Sequence, residues 1–192
     1  MRKIAESYYK NLLNVISSIK VTNEEGNILN FFEGIETVSN LIISEVDSAH
    51  KLMFIGNGAS AAISSHISTD FWRNIGIRAV AFNDSSLLTC ISNDFGYKHV
   101  FDKPIEMFAD KGDILIAISS SGKSENILLG VNSARLKECK VITLSGFDKD
   151  NPLSILGDYN FYVSSHSYGP VEICHHSICH CILHTIMQHK EK

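Results

Sequence analysis

The sequence predicts an α/β fold, a parallel sheet with helices layered on both sides of it. Three observations carry that expectation. Five short runs are apolar and rich in β-branched residues, as strands buried on both faces must be. Helical patterns of apolar residues fill most of the intervals between them. Two of the runs end in glycine- or serine-rich turns that lead straight into a helix. Such alternation gives a three-layer sandwich, which takes ligands beyond the carboxyl ends of its strands.

Residues 3–20, "KIAESYYKNLLNVISSIK", carry apolar positions at helical spacing, and "NEEGN" interrupts before a second helical stretch near 29–49. The strands are "KLMFIG" (51–56), "RAVAF" (78–82), "DILIAIS" (113–119), "KVITLS" (140–145) and "NFYVS" (160–164). Helical patterns cover 60–75, 85–91, 99–108 and 123–137, and a last helix is expected from about Val171 to Gln188. No internal repeat or domain boundary interrupts this order. Residues 1–192 therefore read as one domain, with 1–49 as an N-terminal helical segment.

Composition narrows the function classes. Hydrophobic residues make up 44% of the 192, enough for a sizeable core, and only three are proline. The balance of 17 Lys+Arg against 21 Asp+Glu gives a net charge of −4. Without a basic stripe interleaved with aromatics, nucleic acid is not an expected ligand. The apolar runs are too short to span a bilayer, and the N-terminus lacks the apolar centre of a signal peptide. Five irregularly spaced cysteines do not suggest a disulfide framework and suit a reducing cytoplasm. Nine histidines are unusual, and six of them lie between His166 and His189.

The serine-rich turn is "IAISSSGKSENILL" (117–130), which places Ser119, Ser120, Ser121 and Ser124 where a strand hands over to a helix. A helix N-terminus offers unpaired N–H groups and the positive end of its dipole, and hydroxyls add donors at little cost in space. A serine-rich N-cap would use the same residues. The second turn, "FIGNGASAAISSH" (54–66), has Gly56 and Gly58 for a tight turn and brings Asn57 and Ser60 to the same edge. Two such turns at strand carboxyl ends favour a phosphorylated ligand over two unrelated caps.

In order along the chain, "GNGASAAISSH", "SNDFGY", "ISSSGKS" and "VITLSGFD" resemble the sugar isomerase (SIS) domains, and most closely the phosphoheptose isomerases. The resemblance covers nearly the whole chain. It implies a flavodoxin-like sheet of five parallel strands and a homotetramer with active sites shared between subunits. It also implies interconversion of sedoheptulose 7-phosphate and D-glycero-D-manno-heptose 7-phosphate. The family's substrate contacts fall on Asn57, Gly58, Ala59, Asn93, Asp94, Ser119, Ser120, Ser121 and Ser124. Ala59 stands where the family has a second glycine, a change that requires a backbone without positive φ.

His66 and Asp70 are four residues apart, as are Glu172, His176 and His180 in turn, so each set shares a helical face. A histidine and a carboxylate on each of two helices can make a zinc site, although such pairs also form ordinary surface hydrogen bonds. The resemblance assigns the ligands of one zinc per subunit to His66, Asp70, Glu172 and His180. Asp70 replaces the family's glutamate, its proposed base, and is one methylene shorter. Glu172 replaces a glutamine and makes the site more anionic, and we place it among the substrate contacts as well. "YGPVE" (168–172) lacks the charged residues that precede that glutamine in the family.

His175 matches a family histidine, whereas His176 is peculiar to this sequence. His184 continues the stripe, as a supporting partner or a solvated side chain. Cys174, Cys179 and Cys181 read as small core residues, Trp72 in "DFWRN" as packing, and Lys123 as a solvated lysine or a phosphate contact. The expected activity is aldose–ketose isomerisation through an enediol, with Asp70 as base and His180 as acid. Two alternatives stay open: an SIS module that binds a sugar phosphate or a partner without catalysis, and an isomerase for another phosphorylated sugar.

Overall fold

The computed structural model describes residues 1–191. Helix α1 (Arg2–Ser17) leads into a hairpin of β1 (Lys20–Asn23) and β2 (Ile28–Leu29), and α2 (Phe31–Asp47) follows. Then come β3 (Leu52–Gly56), α3 (Ala59–Ile75), β4 (Ala79–Ala81), α4 (Ser85–Phe95), α5 (Asp102–Phe108) and β5 (Ile114–Ser119). The chain continues through α6 (Glu125–Leu136), β6 (Lys140–Gly146), β7 (Tyr159–Val163) and α7 (Tyr168–Lys190).

One sheet of seven strands has the order β2-β1-β7-β6-β5-β3-β4. The five expected strands form its parallel part, since β4, β3, β5, β6 and β7 pair in parallel with their neighbours. The expectation of five strands is corrected to seven by the hairpin, which adds two antiparallel strands to the β7 edge. Lys20 thus belongs to a strand rather than to the first helix. The hairpin is short and mostly polar, and only Val21 is fully buried, so it carries no apolar run that a sequence reading would register.

Side-chain alternation splits the core in two. Leu52 and Phe54 of β3, Ile114, Ile116 and Ile118 of β5, and Ile142 and Leu144 of β6 face one cluster, joined by residues from α1, α2, α3 and α7. Met53, Ile55, Leu115, Ala117 and Val141 face the other, joined by residues from α4, α5 and α6. Because both faces of the central strands are covered, β3 and β5 are buried along their whole length, which explains their continuous apolar runs.

Helix α7 starts at Tyr168, three residues earlier than expected, with Pro170 in its first turn. A first-turn proline lacks only an N–H that would have no helical partner there. The early start brings Tyr168 and Glu172 to the carboxyl end of the sheet. Trp72 does not pack as expected: it is 54% exposed on α3. Cys174 and Cys179 are buried and Cys181 half-buried, all as free thiols. No helix among the described residues is long and apolar enough to cross a membrane.

Candidate active site

The glycine turn after β3 is built by close approach. A Cβ at Gly56 would lie 2.6 Å from the backbone of Ser60, so only glycine lets α3 begin so near the strand. Gly58 takes φ 55° and ψ −121° as the N-cap of α3. Ala59 is already helical and is not among the residues with positive φ. The condition for tolerating its extra methyl is met.

Asn57 is fixed from two sides. Its amide exchanges two hydrogen bonds of 2.9 Å with the amide of Asn126 in the first turn of α6. Its Oδ1 also accepts from the Tyr97 hydroxyl at 3.0 Å. The two helix-entry turns are thereby tied to each other. Sequence alone assigns Asn126 and Tyr97 no role, although Tyr97 closes "SNDFGY" and Asn126 is a further amide just beyond the serines in "SGKSEN".

In the turn after β5, the Gly122 N–H is 3.1 Å from both the carbonyl and the hydroxyl of Ser119. The Ser121 hydroxyl accepts weakly from the Lys123 N–H at 3.3 Å. Ser124 is the N-cap of α6, yet its side chain makes no capping hydrogen bond. The serine cluster is therefore not explained as a cap. Asn57, Ser60, Ser119, Ser120, Ser121, Ser124, Tyr168 and Glu172 line a cleft of about 140 Å³ at the N-terminus of α6. Donors with unfilled space between them at a helix N-terminus suit an anion. Lys123 turns instead to Asp148 (Nζ to Oδ2, 2.6 Å), and that hydrogen bond holds the Asp148 carboxyl below its ordinary pKa.

A second group of side chains gathers where α3 meets α7. His66, His176 and His180 bring ring nitrogens within 4.8 Å of one another. Their ring centroids are 5.5 Å apart from His66 to each of the other two, and 4.7 Å between His176 and His180. Asp70 Oδ2 lies 3.3 Å from His66 Nε2, with its side chain only 14% exposed. Burial first, and then the neighbouring imidazoles, hold His176 and His180 below the ordinary histidine pKa. That shift favours the neutral ring, which has a lone pair to offer. His184 is exposed, with its ring 6.1 Å from that of His180.

Of the four expected metal ligands, His66, Asp70 and His180 are gathered here, and His176 joins them. Glu172 sits one turn earlier on α7, in the wall of the serine cleft. Asn93 and Asp94 are exposed at the end of α4, hydrogen-bonded to each other at 2.9 Å, and do not line that cleft. His175 points into the core. Its ring Nε2 is 3.1 Å from the Ser145 carbonyl and donates to it, and burial lowers its pKa to about 4.

Helices on a mostly parallel sheet, with glycine and serine turns at the carboxyl ends of its strands, define an α/β domain that presents helix N-termini to an anionic ligand. The SIS domain family profile matches residues 7–146, and the chain belongs to that family. Within it, the chain is 35% identical over 160 residues to the phosphoheptose isomerase of Aliarcobacter butzleri, covering 78% of this chain and 84% of that one. The solved phosphoheptose isomerase of Francisella tularensis superposes with a TM-score of 0.86 at 25% identity over 98% of both chains. That of Neisseria gonorrhoeae gives 0.85 at 26% identity, over 96% of this chain and 97% of that one.

Proposed function

We propose that the chain is an aldose–ketose isomerase that interconverts sedoheptulose 7-phosphate and D-glycero-D-manno-heptose 7-phosphate. The observation that carries this reading is a donor-lined cleft one turn of α7 away from an imidazole–carboxylate cluster. The relatives of similar length named phosphoheptose isomerase support it. In this reading the serine cleft holds the distal phosphate and positions the sugar. Asp70 takes a proton from C1 of the ketose and returns one to C2, with an enediol between. His180 exchanges protons with the two oxygens.

The donor set fits zinc, one per subunit. Neutral imidazoles and a carboxylate are common zinc ligands, and the buried His176 Nε2 has no partner within the protein. His66, Asp70, Glu172 and His180 are the ligands that the family resemblance supplies. A bound zinc would polarise the substrate carbonyl and steady the charge that develops on its oxygen. Five free cysteines support a cytoplasmic location.

The test of the activity is a coupled assay with sedoheptulose 7-phosphate beside a panel of pentose and hexose phosphates. Turnover of the heptose alone is expected. Turnover of another sugar would assign a different isomerase, and binding without turnover a noncatalytic module. Within this reading, Ser121→Ala and Ser124→Ala should each weaken sugar-phosphate binding by roughly 10- to 100-fold, the loss of one hydrogen bond to a charged group. Thermal unfolding should barely move, because the Ser124 side chain does not cap α6. Unchanged affinity in both variants would remove the serine cluster from the site.

We also propose a homotetramer with shared sites. Tyr9, Leu13 and Ile16 are 42–65% exposed on α1 at i, i+4, i+7 spacing, an apolar row that another copy would cover. Deleting α1 would strip Leu12 and Val15 from the core, so exposed positions are the better probe. The double variant Tyr9→Lys/Leu13→Lys should give smaller species in light scattering and lose most of the activity. A fully active monomer would contradict shared sites.

A further inference from the structure

His176 is the member of the cluster that neither spacing nor family resemblance had given a role. Its Nε2 is buried and has no hydrogen-bond partner. Leaving such an atom unsatisfied costs about 1–3 kcal/mol, a cost that a cation bound among the neighbouring imidazoles would relieve. The ring nitrogens of His66, His176 and His180 lie within 4.8 Å of one another. Nitrogens on a tetrahedral zinc sit about 3.3 Å apart, a contraction that small χ rotations of the three rings supply. Glu172, the fourth ligand by resemblance, is not among the three converging residues and lines the serine cleft instead.

We infer that His176 is a metal ligand of this chain, so that His66, His176 and His180 form a three-imidazole site for a divalent cation, with Asp70 beside His66 and Glu172 released to the sugar phosphate. This rests on the zinc reading above and changes its ligand set. His176 and His180 are successive same-face positions on α7, and His66 faces them from α3. The site therefore staples the two helices that also carry Asp70 and Glu172. An exchange of glutamate for imidazole makes the metal site less anionic. It also leaves a carboxylate in the cleft that can accept hydrogen bonds from sugar hydroxyls.

The test is metal binding rather than turnover. Zinc affinity of the full-length protein is measured by competition with a chromophoric chelator, and the ligand set is read from the visible spectrum after cobalt(II) substitution. His176→Ala and the better shape match His176→Gln should each lower zinc affinity by more than the roughly 10- to 100-fold that loss of an outer-shell partner costs, and His180→Ala should do the same. Both His176 variants should also shift the cobalt bands. Glu172→Ala, which removes the donor altogether where glutamine would restore the family's residue, should keep zinc affinity within a few-fold and leave the cobalt spectrum unchanged, while raising KM for the sugar phosphate. Unfolding of the metal-free variants shows that each is folded. Wild-type affinity and spectrum in both His176 variants would overturn the inference, and loss in Glu172→Ala beside them would leave the resemblance-based ligand set standing. A wild-type protein that binds neither zinc nor cobalt would overturn the zinc reading itself, and this inference with it.

Discussion

Asp70→Asn should lower kcat on the heptose phosphate by roughly 10²- to 10⁴-fold, the usual contribution of a positioned general base. The substitution keeps the shape of the side chain and one oxygen acceptor, so α3 and the 3.3 Å approach to His66 have no steric reason to move. What it removes is the ability to take a proton from carbon. KM should change little, because the serines proposed to hold the phosphate lie on the turn after β5 and not on α3. Asp70→Glu restores the side chain that the family carries there and lengthens the reach by one methylene. It should retain far more activity than the asparagine variant, which separates loss of the base from loss of position. A kcat for Asp70→Asn above about a tenth of wild type would remove Asp70 from the proton transfer.

How legible this protein is from its sequence depends on whether a feature is local. The five parallel strands are local, because covering both faces of β3 and β5 demands unbroken apolar runs. The helix entries are local too, since Gly56, Gly58 and the serines mark turns by residue type alone. The β1–β2 hairpin is equally local but lies at the sheet edge with one fully buried side chain, so its composition looks like that of a loop. Trp72 shows the reverse error: its size suggests burial, but its position on α3 leaves it mostly in solvent.

The site divides in the same way. Asn57, Ser60 and the four serines of the cleft could be named from their turns, whereas Glu172 came from resemblance and Tyr168 needed the true start of α7. The Asn57–Asn126–Tyr97 contacts join positions 69 and 40 residues apart, and no periodicity reports such a meeting. On α7, spacing places Glu172, His176 and His180 on one face but does not say which of them meets α3. The rotation of α7 against α3 is invisible in a sequence, because three imidazoles facing one another are a property of two packed helices. Exposed Asn93 and Asp94 rest on resemblance alone, since they lie apart from the cleft within one subunit.

Lys51→Met should cost about 3 kcal/mol of stability without impairing the folded enzyme. Asp113 is 1% exposed at the amino end of β5, where its carboxylate accepts the backbone N–H groups of Lys51 (2.9 Å) and Asp110 (2.8 Å). The Lys51 ammonium pairs with it directly and reaches Asp110 Oδ2 at 2.8 Å. Asp110 is 82% exposed in its side chain and adds little. The stake is Asp113, a buried charge that loses its counter-ion when Lys51 is replaced. Burial alone would pull the Lys51 pKa down, but hydrogen bonds and charge from the two aspartates outweigh it and hold it above the ordinary lysine value. A raised pKa in the folded state means this pair stabilises fully below the unfolded lysine pKa. Its contribution is lost as pH climbs through the folded value, so wild type and variant should converge in strong alkali. At neutral pH the midpoint of thermal unfolding should fall by roughly 6–12 °C for a chain of this size. Asp113→Asn added to Lys51→Met should recover part of that loss by removing the stranded charge. The pair lies at the opposite end of β3 from Asn57, so kcat and KM of each variant should match wild type below its transition. A Lys51→Met protein within about 0.5 kcal/mol of wild type would mean that two backbone amides suffice to hold the Asp113 carboxylate.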